Sequence, residues 1–105
     1  MGDVFNVTAN YDQSSYTGGQ TITVTISGGD VQSVVTQSQI GPITIPLVAQ
    51  DGAKTTINVP AEQATVTTVT PESVVIDTTQ PIVDTSPTPR TWTVSANKLS
   101  ITATA

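Results

Sequence analysis

Gly18-Gly19-Gln20-Thr21-Ile22-Thr23-Val24-Thr25-Ile26-Ser27-Gly28-Gly29-Asp30 decides the fold. Between its two glycine pairs, apolar and polar residues alternate strictly. Ile22, Val24 and Ile26 point one way and Thr21, Thr23 and Thr25 the other, which is the period of a strand with one buried face. Glycine supplies positive φ without steric cost, so the pairs read as turns bracketing a strand over 20–27. They do not read as a phosphate cradle, because both lead into strand-like sequence rather than into a helix or a lysine.

The same reading extends in both directions. Residues 4–9 set Phe5, Val7 and Ala9 against Val4, Asn6 and Thr8 as a first strand, and 10–19 form a polar loop carrying Tyr11 and Tyr16. Gly28-Gly29-Asp30 turns the chain into a short strand over 31–36. After a polar break at 37–41, Ile43, Ile45 and Leu47 alternate with Thr44, Pro46 and Val48. Pro46 cannot donate to a ladder, which places that strand at a sheet edge or on a bulge. Asp51-Gly52 signals a hairpin whose return strand, 54–59, turns Ile57 and Val59 inward. Pro60 to Ala64 suits a helical turn with proline at its start. Strand segments over 65–70 and 73–77 flank Pro71-Glu72. From 78 to 89 the chain is an extended connection with Pro81, Pro87 and Pro89, within which Ile82-Val83 pairs briefly. A closing hairpin, 90–95 and 98–105, turns at Ala96-Asn97 and brings in Trp92 and Val94 from one arm and Leu99, Ile101 and Ala103 from the other.

Seven or eight short strands at near-regular spacing, with no helical run long enough for a parallel crossover, predict one all-β domain over 1–105, an antiparallel β-sandwich. Composition agrees: Thr and Val dominate, and both fit a pleated surface. Phe5, Tyr11, Tyr16 and Trp92 are the whole aromatic complement, so aliphatic residues must build the core. Trp92 alternates in step with Val94, which makes it a core residue; an exposed anchor for a partner or a sugar is the alternative.

The formal net charge is −5, with Lys54, Arg90 and Lys98 the basic residues. Such a chain has no patch to neutralise a nucleic-acid backbone or to dock on anionic lipid. Cys and His are both missing, which removes Ser-His and Cys-His nucleophiles and the usual zinc ligands. Glu62 with Glu72, and Asp77 with Asp84, are the pairs a glycosidase would need, and Asp12, Asp77 and Asp84 the oxygens a calcium ion would need. Scattered acids on a small sandwich read as solvated loops, so no catalytic, cofactor-binding or metal-binding residue is expected. Met1-Gly2-Asp3-Val4-Phe5 enters strand-like sequence without a charged or apolar leader, giving the expectation of a chain made in the cytoplasm.

The segment Gly18 to Gly29 is similar to the second strand of bacterial and phage immunoglobulin-like domains, where Gly-Gln or Gly-Asp precedes alternating Thr, Ile and Val. Asp77-Thr78-Thr79-Gln80-Pro81 is similar to the Asp-Thr-Thr-Ala-Pro junction of bacterial surface Ig-like repeats, although here it is internal to the domain. Trp92 to Ala103 suits the closing hairpin of such a sandwich. The chain resembles the Ig-like decoration, or cement, proteins of tailed-bacteriophage heads. That resemblance implies an Ig-like β-sandwich that is a structural virion protein rather than an enzyme. It would be made in the host cytoplasm, bind the major capsid protein lattice on the outer capsid surface and stabilise it. The alternative is an Ig-like adhesion module of a phage tail protein or bacterial surface adhesin. The expected contact residues are Tyr11 and Tyr16 in the polar loop, since exposed tyrosines offer contact area at low entropy cost. Pro81, Pro87 and Pro89 in the extended stretch join them, with Arg90 as a charge-assisted donor. Whether the protein binds as a monomer or as a homo-oligomer is left open.

Overall fold

The structure, a computed structural model, describes residues 3–28, 31–36, 38–95 and 97–104, apart from the Asp3 side chain. It holds strands β1 (Asp3–Tyr11), β2 (Ser15–Thr17), β3 (Thr23–Ser27), β4 (Gln39–Ala49), β5 (Lys54–Val59), β6 (Ala64–Val69), β7 (Ser73–Thr78), β8 (Thr91–Val94) and β9 (Lys98–Thr104). One short helix, α1 (Val31–Val35), and a 3-10 turn at Ala61–Gln63 complete it. Every strand pairing is antiparallel. The hydrogen-bonded order is β2-β8-β4-β9-β1-β3-β7-β6, with β5 on the other flank of β4. The chain is an all-β antiparallel sandwich, as its alternation predicts.

The path folds over at β1. Asp3 to Thr8 pair with β9, and Thr8 to Tyr11 pair with β3. A strand that changes partner midway belongs to both layers and makes the corner between them. One layer is β6-β7-β3 with the second half of β1; the other is built on β5-β4-β9. Inward residues of both merge into one core in which Val24, Ile26, Ile43, Ile45, Val74, Ile76 and Ile101 are fully buried. The stretch quoted first therefore supplies the centre of its layer, since β3 lies between β1 and β7.

Thr78 is the one buried polar residue among those described, 3% exposed. Its hydroxyl donates to the Ile22 carbonyl at 2.8 Å and accepts from the Ile22 N–H at 3.3 Å, while the Thr78 N–H also donates to the Ile22 carbonyl at 3.0 Å. One side chain thus holds the start of β3 against the end of β7, where both emerge from the core. Near the start of β4, Gly41 has φ +132° and passes so close to the 3-10 turn that a Cβ there would lie 2.7 Å from Ala61 Cα. Only glycine fits both the conformation and the space.

Several local readings are corrected. Residues 31–35 are helical rather than a strand, because Val31, Val34 and Val35 recur at helical spacing and Val31 and Val34 are buried. The Gln32 amide then donates to the carbonyls of Thr70 and Pro71 at 3.0 and 3.2 Å, tying α1 to the β6–β7 turn. The polar loop holds a strand of its own, β2. Of the two alternatives for the Pro46 strand, an edge is excluded, since β4 has neighbours on both flanks, while its pairing with β9 carries a register shift between Ile40 and Ile43. The Pro46 carbonyl accepts from Ser95 N–H, so its ring nitrogen faces the same flank, in the gap where β4 changes partner from β9 to β8. β8 and β9 do not pair with each other. They lie end to end along one flank of β4, Leu47 to Ala49 facing β8 and Gln39 to Ile43 facing β9. The expected closing hairpin is one interrupted strand. The β4–β5 hairpin falls at Asp51-Gly52 as read: Gly52 has φ +90° and donates to Ala49 O, and Ala49 N–H donates to Ala53 O. The turn residues Gly29, Asp30 and Ala96 lie outside the described residues.

Candidate functional site

Three prolines within 81–89 remove backbone donors and keep this stretch out of regular structure. It is nevertheless held at every few residues. Thr79 N–H donates to Gln63 O at 2.9 Å. Ile82 is a peg, 2% exposed, whose N–H donates to Gln20 O and whose carbonyl accepts from Gly19 N–H, at 2.9 and 2.8 Å. The brief pairing expected at Ile82-Val83 is therefore made at Ile82, against the loop that leads into β3. Val83, next in line, is turned outward and is 67% exposed.

Asp84 organises the remainder. One carboxylate oxygen accepts from Arg90 N–H at 2.8 Å; the other accepts from Arg90 Nε at 2.9 Å and from Ser86 N–H at 3.2 Å. A second guanidinium nitrogen lies 2.9 Å from that same oxygen. The Asp84 side chain is 7% exposed. The Arg90 backbone N–H holds its carboxyl below the usual range, helped by Ser86 N–H and the guanidinium and opposed by burial. Ser86 Oγ accepts from Thr88 N–H at 3.3 Å, so 84–90 close on themselves.

Arg90 extends the frame. Its guanidinium lies over the Trp92 ring, 4.6 Å from the centroid, and reaches Asp51 in the β4–β5 turn at 3.7 Å. Thr91 N–H donates to Gln50 of that turn at 2.7 Å. Between 17–19 on one side and Ile82, Asp84, Ser86 and Pro89 on the other runs a groove of about 610 Å3. Gly18 permits it, since a Cβ there would stand 3.0 Å from Asp84 Cβ.

The residues expected to make contacts thus separate. Pro81, Pro87 and Pro89 are exposed on the pinned stretch. Arg90 lies beneath them with its fork already engaged, and it positions the stretch rather than offering a free donor. Tyr16 corrects the expectation of an exposed loop tyrosine. It sits in β2 opposite Trp92, is 1% exposed, and donates its hydroxyl to Asp12 while accepting from Gln13 N–H. Burial, reinforced by the Asp12 carboxylate, pushes that hydroxyl well above the ordinary tyrosine range. Tyr11 is half-buried in β1 and lines a separate shallow groove with Val94, Ser95 and Asn97. Trp92 is 2% exposed, in the core.

The acidic residues are dispersed. Glu62 and Glu72 lie beyond opposite ends of β6, whose six residues span roughly 20 Å, whereas paired glycosidase carboxylates need about 5–9.5 Å. Asp12 accepts from Tyr16 and Thr23 N–H, and Asp77 from the Thr23 hydroxyl at 2.6 Å. Among the described residues no three of His, Cys, Asp and Glu converge on a metal-sized space. Asp84, the hub of the pinned stretch, is not singled out by residue type. Its signal is Asp followed two residues later by Ser, an Asx-turn pattern, with an arginine just before a strand. Comparison of the chain with known protein families, with curated proteins and with solved structures gives no match.

Proposed function

We propose that this protein is a structural component of a tailed-phage virion that binds the outer surface of the capsid through the pinned proline-rich stretch. The observation that carries the reading is an irregular segment that exposes Pro81, Val83, Pro87 and Pro89 while its backbone is fixed by Ile82 and by the Asp84–Arg90 clamp. Loops are costly to order on binding, so a surface fixed in advance binds more tightly for the same contacts. Proline and valine side chains lose little rotamer freedom when covered. The resemblance of 18–29 and 77–81 to phage and bacterial Ig-like domains supplies the class of partner. Many copies on a repeating lattice gain from avidity, so each contact can stay small.

Co-sedimentation with expanded, undecorated tailed-phage capsids tests this. The protein is expected in the pellet at micromolar concentration, and Val83→Asp is expected to leave it in the supernatant with an unchanged melting midpoint. Wild-type protein that stays in the supernatant removes the capsid reading and turns attention to adhesion by a tail or cell-surface module. Full binding by Val83→Asp moves the contact surface away from this stretch.

A further inference from the structure

We infer that the bare edge of β6 pairs with the same edge of a second copy, forming a two-fold antiparallel dimer. β6 ends the hydrogen-bonded order and pairs with β7 alone among the described strands. Exposed edges are normally blunted by lysine, proline, other charges or a bulge. Ala64 to Thr70 carries no lysine, proline or charge, its one irregularity is the register shift between Val66 and Thr68, and Thr65 to Thr70 reads Thr-Val-Thr-Thr-Val-Thr, the same in both directions. A two-fold interface requires self-complementarity: if residue i meets j, then j meets i. The palindrome meets that requirement with Val66 opposite the partner copy's valine at position 69, and the reverse.

The backbone agrees with this register. Gln63 O accepts from Thr79 N–H, and Thr70 N–H donates to Ser73 O, so residues 63 and 70 turn their polar groups toward β7. Alternation from each end directs the N–H and C=O of Val66 and Val69 outward, away from β7. The ladder shifts between Val66 and Thr68, leaving Thr67 as an extra residue. In the two-fold arrangement Thr67 stands opposite the partner copy's threonine at position 68, so two residues separate the outward groups of Val66 and Val69 on both strands. Val66 and Val69 pair with Ile76 and Val74, which puts them on the inner face of the sheet, yet they are 37% and 55% exposed. A groove of about 400 Å3, lined by Ile40 and Ala64 among others, opens beside Val66. The second copy's valine, set opposite Val66, covers that opening. The flanking charges, Glu62 and Glu72, lie outside the six paired residues. β5, the other long edge strand, starts with Lys54 and has Gln80, Pro81 and Val83 beside it. The inference does not rest on capsid binding and is tested without capsids.

Sedimentation velocity of the purified protein, from low-micromolar to near-millimolar concentration, is expected to show a reversible monomer–dimer equilibrium. A lone pair of short strands buries less than about 1,200 Å2, the small end of specific interfaces, so the dimer is expected in the upper part of that range. Val69→Lys places an edge charge on the seam and is expected to raise the dissociation constant by about tenfold or more, with the melting midpoint unchanged. Because the chain has no cysteine, a second measurement is clean. Mild oxidation of an equal mixture of Val66→Cys and Val69→Cys chains is expected to give the mixed disulfide well beyond the twofold excess over either homodisulfide that random pairing gives. A monomer throughout, a dimer indifferent to Val69→Lys, or disulfides in statistical proportion would each overturn the proposal.

Discussion

Replacing Thr78 by valine isolates the hydroxyl that joins the start of β3 to the end of β7. Valine has nearly the same shape and the same χ1 stiffness, so packing and strand propensity change little. The Ile22 carbonyl keeps the Thr78 N–H at 3.0 Å, but the Ile22 N–H loses the hydroxyl it donates to. A buried donor left without a partner costs about 1–3 kcal/mol. The added methyl offsets part of this, at about 0.8 kcal/mol per buried carbon. The expected net loss is about 1–2 kcal/mol, and each kcal/mol lowers the melting midpoint of a domain this size by about 4–8 °C. Thr78→Ser is the control. It keeps the hydroxyl, loses one methyl, and is expected to cost under about 1 kcal/mol. Urea unfolding followed by Trp92 fluorescence measures both. Thr78→Val as stable as wild type, or Thr78→Ser the worse of the two, would refute the assignment of a structural hydroxyl.

Gly41→Ala is expected to cost more, about 2–5 kcal/mol from a Cβ driven into Ala61 and a left-handed φ, and a urea midpoint equal to wild type would contradict it. The Asp84 carboxyl is held low in the folded state, so its contribution is fully present above the unfolded carboxylate range and is lost as pH falls through the folded value. The stability gap between wild type and Asp84→Asn should therefore shrink below about pH 4, and a gap constant from neutral pH to pH 3 would refute the clamp. Burial pushes the Tyr11 hydroxyl up to about 12, so its contribution holds below pH 10 and fades as pH rises through 12. Absorbance titration in which Tyr11 ionises at about 10 would contradict its burial.

The strands whose alternation is unbroken were legible from the sequence alone. Ile22, Val24 and Ile26, then Ile43, Ile45 and Leu47, then Leu99, Ile101 and Ala103 all face the core, because a strand with one buried face writes itself into every second residue. Asp51-Gly52 was legible because its turn chemistry is local. What escaped was non-local. Valine propensity favoured a strand at 31–35, yet the apolar spacing and the β6–β7 turn beneath it favour one helical turn and prevail. Tyr16 lies in a polar stretch, and only the Trp92 strand arriving from 76 residues away makes its site a core. Pro46 is tolerated centrally because the neighbour of β4 changes there, which no local pattern encodes. At the candidate site, the exposed prolines were legible as a block. The engagement of Arg90 with Asp84 was not, because a charge pair six residues apart in irregular chain has no periodic signature.

The clamp around Asp84 has a consequence for variation. Its bonds run through backbone amides, one carboxylate and one guanidinium, while the side chains at 81, 83, 85, 87 and 89 are exposed and take no part in those bonds. Frame and face are therefore separable. Residues on the face can be rewritten without unfolding the frame, in the way antibody loops diversify on a constant sandwich. The proline stretch is thus a graft position as well as a surface, where foreign short sequences anchored by Ile82 and Arg90 would keep the loop's path while changing what it meets.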